Sequence, residues 1–132
     1  MATNDNLARW YDVITGGSEP AALSAILHDD AVFHSPVVHT PQRGKPIVMA
    51  YLRAAGATLG NESFRYLREI ADGPVVMLEF ETEMEGVHIN GIDLITFDVD
   101  GLIIDFKVMV RPLKAVNKVW EMMQAQLESA KG

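Results

Sequence analysis

The stretch "GIDLITFDVDG", residues 91–101, indicates most about the fold. Alternate residues of a strand point to opposite faces of a sheet, so Asp93 shares one face with Ile95 and Phe97. The other face is mostly apolar as well. A strand that is apolar on both faces is covered on both sides, and an ionised carboxylate is costly in such a place. We therefore predict that Asp93 lies in an apolar pocket.

The segments around this stretch also read as strands. In "VVMLEFETEMEG", residues 75–86, glutamates alternate with mostly apolar residues, and "LIIDFKVMVR" follows the turn that ends at Gly101. An earlier strand, "ESFRYLREIADG", is separated from "VVMLEFETEMEG" by the turn residues Asp72-Gly73-Pro74. Such a series predicts antiparallel strands with one apolar face. We expect this face to line the interior and to bind a ligand through Leu78, Phe80, Ile95, Phe106 and Val108.

Helical spacing dominates both ends of the chain. Apolar residues recur at three- and four-residue steps over 7–14, over 23–27, from Gly44 to Leu59 and from Pro112 onward. A short strand, "AVFHSP", lies between the second and third helices. We predict one α+β domain over residues 1–132. It would be a cone-shaped, curved antiparallel sheet wrapped by N-terminal helices, with a C-terminal helix.

Composition excludes several classes of function. The net charge of −7 argues against binding nucleic acid or an anionic membrane surface, because both need basic patches. The chain contains no cysteine, which excludes disulfides and thiolate chemistry. There is no signal-like start and no apolar run long enough to span a bilayer, so we expect a cytoplasmic protein. The motifs of metal and nucleotide sites are absent, and we expect neither metal nor cofactor.

Three segments resemble one protein family. They are "LHDDAVFHSP", "GKPIVMAYL" and "GIDLITFDVDG", and together with the element order they resemble the ketosteroid isomerases, the SnoaL-like cyclases and nuclear transport factor 2. The resemblance covers roughly residues 7–111 and implies the cone-shaped fold. It indicates a reaction only weakly, because this fold hosts many activities.

The resemblance also suggests roles for single residues. Asp93 falls where the isomerases keep a protonated acid in the oxyanion hole, and Tyr11 falls where they place the partner phenol. The general-base position holds Ser35, whose hydroxyl is far too weak a base for enolisation. His39, or less favourably His34, is the candidate to move the proton.

Two functions stay open at this point. The first is a cofactor-independent isomerase, dehydratase or cyclase acting on a small apolar carbonyl or ring compound, with catalytic candidates Asp93, Tyr11, His39 and His34. The second is a binding domain whose base has been lost at Ser35. Tyr51, on the apolar stripe of the third helix, is a further ligand-binding candidate. Ser35 is another, since we expect it to line one cavity with Asp93 and Tyr11.

Charged and apolar side chains alternate on the predicted outer face of the sheet. This face carries Glu79, Glu81, Lys107, Met109 and Arg111. Proteins that resemble this chain commonly pair through the same face. We therefore expect a homodimer that forms through the outer face of the sheet.

Overall fold

The computed structural model of the protein describes residues 3–131. Four helices and six strands follow one another along this part of the chain. In order they are α1 (Thr3–Thr15), α2 (Pro20–Ala25), β1 (Leu27–His34), β2 (Gln42–Arg43), α3 (Lys45–Leu59), β3 (Arg65–Asp72), β4 (Val75–Met84), β5 (Val87–Phe97), β6 (Ile103–Arg111) and α4 (Leu113–Lys131). These elements confirm the predicted α+β class, with three helices before the consecutive strands β3 to β6 and a helix after them.

The six strands form one curved sheet in the order β2-β1-β6-β5-β4-β3. Every neighbouring pair is antiparallel except β1 and β6, which are parallel. The sheet is therefore mixed, whereas the sequence predicted an antiparallel one. The two strands are far apart along the chain, so no local pattern in either strand specifies their relative direction.

A tight hairpin sets the register of β4 against β5. Glu85 and Gly86 form its turn with φ of 49° and 82°. Positive φ at both turn residues is typical of two-residue hairpins, whose twist matches that of the flanking strands. The pairing then runs without a shift from Met84 opposite Val87 to Val75 opposite Thr96, and it places Asp93 opposite Leu78.

Gly91, the first residue of the stretch quoted above, allows a close approach between neighbouring strands. A Cβ at this position would lie 2.5 Å from the Met109 carbonyl oxygen and 2.6 Å from Phe80 Cζ. The Phe80 ring therefore packs across the bare backbone of β5, where any larger residue would displace it.

The end of the same stretch is fixed by Asp98. Its Oδ1 accepts hydrogen bonds from the backbone N–H groups of Asp100 and Leu102, each over 2.9 Å. Gly101 follows with φ of 83°, a left-handed conformation that favours glycine. This turn directs the chain from β5 into β6.

The hydrophobic core lies between the inner face of the sheet and the helices. Along β5, residues 91, 93, 95 and 97 are buried, while the residues between them are half-buried. The helices thus cover the inner face, as the sequence predicted. The outer face keeps part of its apolar surface accessible. Among the fully buried core side chains are Phe33, Leu78, Ile95, Ile103 and Val119.

Candidate functional site

A cavity of about 790 Å³ opens between the inner face of the sheet and the helices. Its wall includes the linker between α1 and α2, much of α3, and Gln126 and Leu127 of α4. Glu19 and Arg53 contribute to this wall and are exposed, so they belong to its solvent side. On the sheet, the lining residues are Phe64, Tyr66, Phe80, Asp93, Phe106 and Val108. The volume lies within the range of small-molecule sites.

Asp93 lies on β5, between Leu78 of β4 and Val108 of β6. It is only 8% exposed and is the one buried acidic side chain among the described residues. Burial raises the pKa of its carboxyl group from 3.8 to about 7, and a hydrogen bond from Tyr66 acts in the opposite direction. Near neutral pH the group therefore exists in both protonation states. The sequence-based prediction of a buried acid on a pocket wall agrees with this geometry.

The phenol beside Asp93 belongs to Tyr66. Its hydroxyl donates to Asp93 Oδ2 over 2.8 Å, across the width of β4. Trp10 Nε1 donates to the same phenol oxygen over 3.1 Å. Burial, and then the charge of Asp93, raise the pKa of Tyr66 well above its ordinary value. Within the described part of the chain Asp93 Oδ1 has no hydrogen-bond partner, so this oxygen is available to a molecule in the cavity.

Tyr11 does not fill the place that the resemblance implied. Its hydroxyl donates to Glu69 Oε2 over 2.6 Å, and its ring packs against Tyr66 with centroids 5.7 Å apart. Burial and the contact with Glu69 raise the pKa of Tyr11 above its ordinary value. The pairing of Tyr11 with Asp93 is therefore replaced by a pairing of Tyr66 with Asp93. The reason is that Trp10, one residue earlier on α1, points toward the sheet, whereas Tyr11 points toward the edge strand β3.

Ser35, His34 and His39 line a second depression, of about 470 Å³, rather than the cavity of Asp93. Ser35 Oγ accepts a hydrogen bond from Val37 N over 3.1 Å. His34 Nε2 lies 2.8 Å from Asp105 Oδ1, on the opposite side of the strand from the buried Phe33. The structure thus separates the three residues from Asp93, and it does not bring a histidine to the proposed acid.

The remaining ligand-binding candidates divide into two groups. Phe80, Phe106 and Val108 line the cavity as expected. The other three candidates are absent from its wall: Leu78 and Ile95 are fully buried in the core, and Tyr51 packs on Phe33 with ring centroids 5.3 Å apart.

Sequence reasoning missed Tyr66 and the polar contact of Trp10. Phe64 and Tyr66 are two residues apart, and both rings face the cavity together with Phe80. Their spacing was the available signal, because residues at i and i+2 share a face of a strand. No comparable signal exists for Trp10, whose spacing in α1 is that of an ordinary core residue.

Residues 3–131 contain no group of three or more histidine, aspartate or glutamate side chains arranged to hold a metal ion. In the same range, no helix is both long and apolar enough to cross a membrane.

Comparison with known proteins agrees with the geometry. The model of the SnoaL-like domain family matches residues 7–106. A steroid Delta-isomerase of Nocardioides simplex is 30% identical over 109 residues, which cover 80% of this chain and 87% of that protein. The crystal structure of a steroid Delta-isomerase from Pseudomonas aeruginosa superposes with a TM-score of 0.89 at 39% identity, covering 96% of this chain and 92% of the other. A cystatin-like-fold protein from Silicibacter pomeroyi gives a TM-score of 0.83 at 33% identity, covering 92% and 84%.

The structure is an α+β domain with a cavity between a curved sheet and its helices. The chain belongs to the SnoaL-like domain family, within the superfamily that includes the ketosteroid isomerases and nuclear transport factor 2. The resemblance found in the three sequence segments is thereby confirmed.

Proposed function

We propose that the protein is a cofactor-independent isomerase, dehydratase or cyclase that acts on a small, mostly apolar molecule carrying a carbonyl or related oxygen. The observation that carries this proposal is the Asp93–Tyr66 pair. A buried carboxyl group lies on the wall of an otherwise largely apolar cavity, with one oxygen held by a phenol and the other available. A polar group that is buried in this way needs a partner, and a ligand oxygen would supply it.

The protonated form of Asp93 would supply the chemistry. A neutral carboxylic acid donates a hydrogen bond to a substrate oxygen, and this bond strengthens as negative charge develops on that oxygen. In an enolisation, the C–H bond next to a carbonyl breaks and its electron pair moves onto the oxygen. The same donor would assist loss of a hydroxyl group or opening of a ring by holding the departing oxygen.

A second carboxyl group faces the cavity from its solvent side. Glu19 occupies the N-cap position of α2, but its side chain makes no capping hydrogen bond, and it has no partner among the described residues. Two carboxyl groups in different environments can take opposite roles in proton transfer. Glu19 would accept the proton from carbon while Asp93 holds the oxygen. Ser35 is unsuited to accepting that proton, because its hydroxyl is too weak a base.

The names of two relatives indicate which class of substrate to assay first. Because both are steroid Delta-isomerases, a β,γ-unsaturated steroid ketone is offered to the protein, and the absorbance of the conjugated enone is followed. We expect turnover by the wild type and loss of most of it in Asp93→Ala, with Asp100→Ala as an exposed control. Equal rates for wild type and Asp93→Ala would contradict the proposed role of Asp93.

One observation favours a second candidate function. Ser35 stands where the resembling isomerases keep their base, and it lies outside the cavity of Asp93. The protein would then bind an apolar ligand without transforming it. Binding of the steroid ketone by the wild type, followed by its recovery unchanged, would favour this alternative.

A further inference from the structure

Trp10 lines the cavity beside the Asp93–Tyr66 pair, and the reaction proposed above does not use it. Its indole Nε1 donates to Tyr66 Oη over 3.1 Å, and its ring packs on Phe106 with centroids 5.2 Å apart. An indole N–H can only donate, never accept. The phenol oxygen of Tyr66 must therefore be the acceptor in this contact.

The phenolic proton of Tyr66 is then directed to Asp93. The rings of Tyr11 and Phe64 flank Tyr66, with centroid distances of 5.7 Å and 5.1 Å, and aromatic rings are poor acceptors. Asp93 Oδ2, at 2.8 Å, is the acceptor that the described residues offer. The hydrogen bonds consequently run in one direction, from Trp10 through Tyr66 to Asp93.

We infer that Trp10 is a positioning residue: by occupying the Tyr66 oxygen, it makes Asp93 Oδ2 an acceptor and places the acid proton of Asp93 on Oδ1, facing the cavity. This inference rests on the proposed function and deepens it. It specifies that the ligand group bound at Asp93 is a hydrogen-bond acceptor, such as a carbonyl or enolate oxygen. Without the indole N–H, Tyr66 could accept the Asp93 proton, and the carboxyl group would present a bare oxygen instead.

The charged surroundings leave this direction unchanged. The exposed Glu19 and Arg53 lie on the cavity wall, and Glu69 is held by Tyr11 behind Tyr66. An ionised carboxylate carries no proton, so neither Glu19 nor Glu69 in that form can donate to Tyr66. Because the pKa of Asp93 is about 7, its proton is present below neutral pH and is lost above it.

The test uses two ligands of the same shape. One is a naphthyl methyl ketone, and the other is its isopropenyl isostere, in which a CH₂ group replaces the carbonyl oxygen. Fluorescence titration measures how much more tightly each protein binds the ketone than the isopropenyl compound. We expect the wild type to prefer the ketone roughly 2- to 10-fold at a pH near 6, the range of one net hydrogen bond. The preference should fade above a pH of about 7.

Trp10→Phe keeps an aromatic ring near Phe106, and it removes the N–H donor together with part of the ring volume. We expect this variant to lose most of the preference for the ketone. Trp120→Phe is the matched control, because Trp120 is the other tryptophan of the chain and is half exposed on α4. A change that merely disturbed packing would lower the binding affinity for both ligands equally. A wild-type preference retained in Trp10→Phe, with the same pH profile, would overturn the inference.

A measurement on the wild type covers the case in which Trp10→Phe does not fold. The indole N–H resonance of Trp10 should shift with pH around the midpoint of Asp93, while that of Trp120 should not. A Trp10 resonance that does not move across this range would also overturn the inference. Failure of the proposed function looks different: the wild type itself would then show no preference for the ketone at any pH.

Discussion

Tyr66 on β3 and Asp93 on β5 are joined by a hydrogen bond of 2.8 Å that spans the intervening strand β4. Cross-strand side chains reach each other only when both point to the same face of the sheet, which here is the buried one. The bond therefore ties an edge strand to the centre of the sheet at the wall of the cavity. It also gives the buried carboxyl group one fixed partner, and the predictions about pH follow from that arrangement.

Asp93→Asn should be more stable than the wild type near pH 8 and lose this advantage near pH 4. The pKa of Asp93 is raised from 3.8 to about 7 in the folded protein, so the unfolded chain releases this proton first. Folding stability accordingly falls as pH rises between these values, by at most about 4 kcal/mol, and levels off above them. Denaturant melts of both proteins across this range check the prediction, with the exposed Asp12→Asn as a charge-matched control. A less stable Asn variant near pH 8 would identify Asp93 as an ionised, paired carboxylate.

Tyr66→Phe should raise the pKa of Asp93 further, because it removes the hydrogen bond that opposes the effect of burial. The loss should cost roughly 1.5–3 kcal/mol of stability where Asp93 is ionised, and less where it is protonated. Carboxyl NMR signals and melts at two pH values measure the two effects. Tyr11→Phe, which removes the phenol bound to Glu69, is the control. Should only the Tyr11 variant change the Asp93 titration, the role implied by the family resemblance would be restored to Tyr11.

Glu19→Gln should lower turnover of the steroid ketone, because the amide cannot accept the proton released from carbon. General-base removal typically costs about 10²- to 10⁴-fold in rate. Ligand affinity should change little, and this separates a chemical role from a binding role. Glu62→Gln, at an exposed loop position, is the matched control. If both variants turn over at the wild-type rate, the base is another group or the solvent.

The protein should form a homodimer through the outer face of the sheet. Met109 is 47% exposed on that face and Ile70 is 50% exposed, and β-sheet register places Met109 in one row with Ile92 and Glu79. Met109→Glu should therefore produce monomers in sedimentation velocity experiments at micromolar concentration. Leu113→Glu alters an exposed apolar residue of α4 and should leave the dimer intact. A wild type that sediments as a monomer would rule out this interface.

Gly91→Ala should be strongly destabilising. The added Cβ would lie 2.5 Å from the Met109 carbonyl oxygen and 2.6 Å from Phe80 Cζ, so β5 and β6 would have to separate and the Phe80 ring would have to move. Overpacking of this kind costs roughly 1–3 kcal/mol or more. Gly56→Ala is the contrast, because its Cβ would meet Ser18 Oγ at an ordinary 3.6 Å. In helix α3 this second substitution should stabilise by about 0.5–1 kcal/mol. Thermal melts of both variants compare the two outcomes.

Local patterns in the sequence predicted the elements around the site well. Alternation placed Asp93, Phe80 and Phe106 on the inner face, and helical spacing predicted α1, α3 and α4. The predicted boundary between α2 and β1 was wrong. A helix was predicted to continue through Leu27, but it ends at Ala25, and the strand starts at Leu27. A run of apolar residues around this point suits either element, since both bury the same side chains.

The hydrogen-bond partners in the site could not be predicted in the same way. Both Trp10 and Tyr11 lie on the apolar stripe of α1, and the choice between them depends on how the helix is rotated against the sheet. That rotation is set by packing across the whole core. Tyr66 reaches Asp93 only because β3, β4 and β5 pair in one particular register. Single-strand patterns do not contain this information.

The parallel pairing of β1 with β6 has a consequence for the order in which the chain can fold. His34 of β1 pairs with Lys107 of β6. The first long strand can therefore complete its pairing only after the last strand has formed. During synthesis on the ribosome, β1 and β2 would emerge early and stay without this pairing until β6 followed. Contacts between such distant segments slow folding, because a long loop must close before they form. A nascent chain that stops before β6 should therefore be a substrate for chaperones, whereas the completed chain should not.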